Sequence, residues 1–163
     1  MPRIEEKIHA PEFREGHWWN AGPLRLADLR GRPVLIDFWD YTCLNCLRTL
    51  PYLREWHARY RPHGLTIVGV HAPEFEFARR APNVERGIRA HGIEYPTLLD
   101  AEYATWRAYA NRYWPSKYLV DGASYIRYAH FGEGAYAEME EEIQTLIREI
   151  DPAADLPLFP SSA

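Results

Sequence analysis

The chain has only two cysteines among its 163 residues, and both fall in one tetrapeptide, Cys43-Leu44-Asn45-Cys46. No sulfur is left for a structural disulfide elsewhere, so any sulfur chemistry belongs to this turn, and cysteine usage does not decide the redox compartment. Long apolar runs are missing too. No stretch approaches the ~20 residues of a membrane span, and Met1–Gly22 carries no signal-peptide core. The expectation is a cytoplasmic chain without a membrane span. Basic residues are not in excess: 19 Lys and Arg stand against 23 Asp and Glu, a formal net charge of −4. The two signs are mixed along the chain, which gives no basic face and makes nucleic acid an unexpected partner. Internal repeats and low-complexity segments are absent, and the length suits one ordinary domain with a sizeable core.

What is present is concentrated in residues 34–51. An apolar run from Val34 to Trp39, broken only by Asp37, leads into the Cys43-x-x-Cys46 turn and then into a helical pattern. Two residues between cysteines on the first turn of a helix bring the sulfurs within disulfide reach. The first cysteine meets unpaired backbone N–H groups and the positive end of the helix dipole, which favour its thiolate. Cys43 is therefore expected to be the nucleophile, and Cys46, one turn further in, the buried resolving thiol.

Along the chain, residues 1–17 are polar and broken by proline and read as an irregular lead-in. His17–Leu26 places two β-prone pieces around Asn20-Ala-Gly-Pro23, which predicts a small hairpin. Leu47, Leu50, Leu53, Trp56 and Tyr60 predict an amphipathic helix ending near Gly64, kinked at Pro51. Leu65–Val70 and Thr97–Leu99 read as strands. Asn83 is expected to cap a helix over 84–91 closed by Gly92. Tyr103, Trp106, Tyr109, Ala110 and Tyr113 predict another helix. Tyr118–Val120 and Tyr125–Phe131 predict a hairpin, and Tyr136–Ile150 a last helix with acidic residues near its start. From Asp151 the tail, with Pro152, Pro157 and Pro160, is expected to lie loose. This order predicts an α/β fold, a mixed sheet with helices on both faces. The divisions are a lead-in at 1–17, a domain at 18–150 and a tail at 151–163.

Asp37-Phe-Trp39, Cys43-x-x-Cys46 and Pro51 resemble the active-site segment of the thioredoxin superfamily. Phe38–Leu53 is similar, more closely, to the TlpA-like thioredoxin domains at the C-terminal end of DipZ-type proteins. The resemblance continues through Val68–Phe75, Tyr103–Trp106, Asn111–Pro115 and His130–Gly134. It implies a thioredoxin-like three-layer sandwich with an N-terminal β-hairpin extension. It also implies that Trp114-Pro115 is a cis-proline loop facing the dithiol and pairing with substrate backbone. Related domains are often extracytoplasmic.

Asp37, mid-strand between two covered faces, is expected to be poorly solvated with a raised pKa. A carboxylate tied up by backbone or hydroxyl donors is the bland alternative. By resemblance, Asp37 matches the acid that accepts the proton of the second cysteine, here Cys46. Trp114, with Trp39 and Tyr41, is expected to frame an apolar groove around Cys43. Trp106, Tyr109 and Tyr113 read as core. His71, His130 and Glu133 match the subfamily without a defined task.

Two rival chemistries are weaker. Cys43, Cys46, His57 and His63 come near a zinc-finger spacing, but the histidines would lie well over 10 Å from the sulfurs along a helix at about 1.5 Å per residue. Leu47 stands where c-type haem attachment requires histidine. A redoxin-type thiol peroxidase would need a proline upstream of Thr42-Cys43, which has no counterpart here. The sequence thus points to a thiol-disulfide oxidoreductase, most simply a reductase, without cofactor or metal. It would act as a monomer on protein or small-molecule disulfides and draw electrons from a donor the sequence does not identify.

Overall fold

The apolar run at 34–39 becomes the centre of the sheet because both of its faces are covered. In the computed structural model, which describes residues 4–157, strand β2 spans Val34–Trp39 and is buried at every position. Alternation sends Leu35, Asp37 and Trp39 to one face and Val34, Ile36 and Phe38 to the other. The remaining strands are β1 (His17–Trp19), β3 (Thr66–His71), β4 (Thr97–Leu99), β5 (Ser116–Val120) and β6 (Ile126–Phe131). They form one six-stranded sheet in the order β1-β4-β3-β2-β5-β6. β2 runs parallel to β3 and antiparallel to β5, so the sheet is mixed, as the element order predicts.

Helices α1 (Leu44–Tyr60), α2 (Ala81–Ala90) and α4 (Tyr136–Ile150) cover one face. There Leu50, Leu53, Val84, Ile88, Ile143 and Leu146 pack with Leu35 and Trp39. On the other face Ile36, Phe38, Val68 and Val70 meet Leu26, Leu29, Tyr109 and Tyr118, beside the short helix α3 (Ala104–Ala108). Burying each such side chain stabilises the fold by about 1.5–3 kcal/mol. Pro51 lies inside α1 without ending it.

Four local expectations are corrected. The hairpin over His17–Leu26 does not form: β1 pairs antiparallel with β4 instead, and Leu26–Leu29 is a 3-10 turn. The Glu12 carboxylate accepts from the amides of Leu26 and Ala27 at 2.5 and 3.3 Å, replacing the strand partner those amides would need. Asn20, in the left-handed region, donates to the carbonyls of Ile93 and Tyr95. Asn83 is not a cap, since α2 begins at Ala81 with Pro82 in its first turn. Its side-chain NH2 donates to the Phe77 carbonyl at 2.8 Å. The helix expected over Tyr103–Tyr113 is only five residues long. Asp100 caps it through the amides of Thr105 and Trp106, and Ala110 leaves it in a left-handed conformation, so Tyr113 lies exposed in the loop. The tail is held as far as Pro157, whose carbonyl accepts from Gln144, while Ala154 and Leu156 pack on the core. The expected looseness of 158–163, like residues 1–3 of the lead-in, falls outside the described residues.

From Ile4 to Ala10 the chain is irregular yet docked. It follows the β5–β6 hairpin through an isolated bridge between His9 and Tyr125 and hydrogen bonds at Ile8 and Ala10.

Candidate active site

The dithiol sits where β2 hands over to α1. Cys43 is the N-cap of α1, with extended backbone, and its carbonyl accepts the first helical bond from Leu47. Helix starts leave amides unpaired, and here the Cys46 N–H donates to Cys43 Sγ at 3.2 Å. Interaction with the Cys46 thiol, together with the amides of Cys46 and Asn45, holds the Cys43 thiol down at about 7. Burial and the Asp40 charge oppose this without prevailing. Cys46 is fully buried, and its pKa is pushed far up, by burial first and then by Cys43 and the Asp37 charge. One sulfur is thus ready as thiolate and partly exposed, while the other is a stored thiol. Both are free.

Asp37 lies on the same face as Cys46 with no exposure at all. Burial raises its pKa, with the Lys117 ammonium pulling the other way. Lys117 Nζ stands 3.3 Å from Asp37 Oδ1. Neither carboxylate oxygen has a hydrogen-bond partner among the described residues, so backbone and hydroxyl donors do not tie the group up. The sequence reading missed Lys117. Its signal was a lone lysine inside an otherwise apolar strand, in register with Asp37.

A second buried pair supports the loop below Cys43. Asp40 accepts from the amides of Thr42 at 2.9 Å and Glu74 at 2.7 Å. His71 Nε2 accepts from the Tyr41 amide at 3.1 Å and stands 3.3 Å from Asp40 Oδ1. Burial pushes the Asp40 carboxyl up, but interaction with the His71 ring and the bonds from the two amides outweigh it and hold the pKa below the usual carboxylate range. His71 thus anchors the loop. Asp40 went unnoticed in the sequence because it reads as one more turn-forming acid.

The aromatic residues expected around the dithiol lie as follows. Trp114-Pro115 is a cis peptide, and the Trp114 indole donates to the Ala72 carbonyl at 2.8 Å while its ring packs against Trp106. Tyr41 stacks on His71 and, like Trp114, is partly exposed. Trp39 is a correction: it has no exposed surface, lies edge-on to His71 and belongs to the core, so it cannot touch a substrate. Leu44, beside Cys43 and 60% exposed, is the better apolar neighbour. His57 packs against Tyr95, away from the dithiol turn. Among the described residues no three His, Cys, Asp or Glu side chains gather as a metal site would require.

The chain is 45% identical over 135 residues to Protein DipZ of Mycobacterium tuberculosis (strain CDC 1551 / Oshkosh), covering 83% of this chain and 19% of DipZ. It therefore spans about a fifth of the length of that relative. Thiol-disulfide oxidoreductase YkuV of Bacillus subtilis (strain 168) is 26% identical over 142 residues, covering 86% of this chain and 95% of YkuV. A crystal structure of a thioredoxin-like superfamily protein superimposes with a TM-score of 0.81 at 26% identity, over 92% of this chain and 99% of the other. The fold is thioredoxin-like. Residues 8–129 match the AhpC/TSA family over most of the chain, and the chain belongs to that family.

Proposed function

We propose that this chain is a thiol-disulfide oxidoreductase that reduces disulfides through a mixed disulfide on Cys43. The observation that carries the reading is the asymmetry of the dithiol, with Cys43 held at about 7 on the helix N-terminus and Cys46 buried with its pKa raised. Similarity to YkuV, itself named a thiol-disulfide oxidoreductase, supports it.

In this mechanism the Cys43 thiolate attacks one sulfur of the substrate, and the other leaves as a thiolate that takes a proton. Cys46 then attacks Cys43, closing the intramolecular disulfide and expelling the second substrate sulfur. Two electrons pass to the substrate, and the Cys46 proton passes to Asp37. A donor dithiol restores the reduced pair. Pro115, Trp114 and Tyr41 bound the substrate's approach. A reducing compartment such as the cytoplasm would keep the pair as the dithiol. Among the described residues no helix is long and apolar enough to cross a membrane.

The test is turnover of oxidised insulin with dithiothreitol as donor, together with equilibration of the pair in glutathione buffers. Wild type should turn over and Cys43→Ser should not, with a potential towards the thioredoxin end near −270 mV rather than about −120 mV. Full turnover by Cys43→Ser would overturn the mechanism, and a potential at the oxidising end would overturn the reductase direction.

A further inference from the structure

One row of side chains crosses the sheet on the face that holds Cys46. Thr97 on β4, Gly69 on β3, Asp37 on β2, Lys117 on β5 and His130 on β6 stand in register, each opposite the next. Directly opposed residues have Cβ atoms roughly 4.5–5.5 Å apart, so neighbours in this row are within side-chain reach. From this row we propose that Lys117 and His130 carry away the proton that Asp37 takes from Cys46, delivering it to the outer strand of the sheet. The proposal rests on the oxidoreductase reading above, and both residues act through Asp37 as positioning residues.

The need comes from burial. Asp37 is 0% and Lys117 2% exposed, so a carboxyl protonated there has no solvent to return the proton to. Towards β4 the row closes: Gly69 has no side chain, and the Trp39 indole, the Tyr95 ring and the Thr97 hydroxyl fill the space, the Trp39 N–H and the Tyr95 hydroxyl being buried without a hydrogen-bond partner. Towards β6 the row opens. His130 is half-buried on the last strand, and its Nε2 stands 2.8 Å from the Glu133 carbonyl oxygen. A carbonyl only accepts, so Nε2 carries the hydrogen, and the neutral ring keeps Nδ1 as a bare lone pair. That Nδ1 is buried without a hydrogen-bond partner, Lys117 Nζ and Asp37 Oδ1 meet only each other as an ion pair at 3.3 Å, and Asp37 Oδ2 has no hydrogen-bond partner. Three consecutive residues of the row thus hold donor and acceptor atoms that no other contact uses.

The proton count closes without an added reactant. As the Cys43–Cys46 bond forms, the Cys46 S–H bond breaks and an Asp37 O–H bond forms. In the same coupled transfer Lys117 gives a proton to His130 Nδ1 and takes the one arriving on Asp37, which restores carboxylate and ammonium and makes the rate of resolution depend on the whole row. The imidazolium then releases its proton at the surface. Lysine suits the middle position, because an ammonium on a flexible stem can give up a proton and a guanidinium does not. The other ionisable groups around the row are Cys46 from α1, Tyr95 from the loop before β4, Tyr136 from α4, Tyr128 on β6, and Glu133, which pairs with Arg48 at 3.7 Å. None of the tyrosines offers a substitute path at neutral pH, because burial raises the pKa of all three.

Single-turnover reaction of the reduced protein with excess glutathione disulfide, quenched and weighed by mass spectrometry, separates attack by Cys43 from resolution by Cys46. His130→Gln keeps a side-chain N–H for the Glu133 carbonyl and cannot relay. Lys117→Arg keeps the charge beside Asp37 and cannot relay either. The relay predicts an unchanged attack step, with resolution slowed about tenfold or more in both variants and its pH profile altered. If His130→Gln resolves at the wild-type rate, or slows with the profile unchanged, the relay is overturned, whether or not Lys117→Arg folds. A wild type that performs neither step overturns the oxidoreductase reading itself.

Discussion

Asp37 and Lys117 face each other across β2 and β5, Nζ 3.3 Å from Oδ1, both sealed from water. Two buried opposite charges stabilise one another chiefly by sparing each the cost of being buried alone.

Removing one partner should therefore expose that cost. In Lys117→Met the Asp37 carboxyl loses the ammonium that pulls its pKa down, so it stays neutral to higher pH. The variant is little destabilised below the unfolded carboxylate value of about 4, and the loss grows as pH rises from there towards the raised folded pKa, because the unfolded chain ionises a group that the fold keeps buried and unpaired, reaching up to about 3–5 kcal/mol. Urea unfolding at pH 5 and pH 8 checks this, and an equal loss at both pH values would contradict it.

A second expectation concerns Cys43. With its thiol held at about 7, alkylation of the reduced native protein should rise through a midpoint near pH 7, with Cys46 unreactive until the chain unfolds. The sign for stability follows: a thiol whose folded pKa is depressed stabilises the reduced fold above its unfolded pKa, about 8.5, and this is lost as pH falls through 7. Iodoacetamide labelling with peptide mapping across pH 5–10 measures the midpoint. A midpoint near that of a free thiol would contradict the assigned environment.

Much of this site was legible from the residues, and the missing parts share a cause. Cys43 and Cys46 announce themselves by spacing, Asp37 by interrupting an apolar run, and the cis peptide at Pro115 by resemblance. Lys117 and Asp40 do not, because their importance comes from strand register and loop closure, which join positions far apart in the chain. Trp39 was misplaced for a related reason: alternation along β2 turns it inward onto His71, and a tryptophan next to an active-site loop looks the same in sequence whether it faces core or solvent. The predicted hairpin at His17–Leu26 failed because β4, remote in sequence, captured its first half and the Glu12 carboxylate, just upstream, its second.

Asp40 should act on Cys43 through charge. Its carboxylate raises the Cys43 pKa while bonding the amides of Thr42 and Glu74. In Asp40→Asn the charge disappears and only one oxygen remains to accept, so the alkylation midpoint of Cys43 should fall below 7. Stability should drop by about 1–3 kcal/mol for the amide left unsatisfied. Labelling and urea unfolding of the same variant read both, and an upward shift of the midpoint would contradict the sign.

Packing behind the loop is equally specific. A Cβ on Gly87 of α2 would lie 2.8 Å from Tyr41 Cβ, close to the backbone of the segment that carries Cys43. Gly87→Ala should therefore destabilise by about 1–3 kcal/mol despite alanine's helix preference of about 1 kcal/mol. Thermal unfolding decides it, and a stabilised variant would show that the loop gives way freely.

The most direct test of the division of labour between the two sulfurs is covalent trapping. Cys46→Ser and Cys43→Ser are each mixed with glutathione disulfide at neutral pH, and the intact mass is recorded over time. The mechanism predicts that Cys46→Ser accumulates one glutathione adduct on Cys43 and holds it, while Cys43→Ser stays unmodified because Cys46 is buried and protonated. Rapid adduct formation on Cys46 in Cys43→Ser, or none in Cys46→Ser, would contradict it.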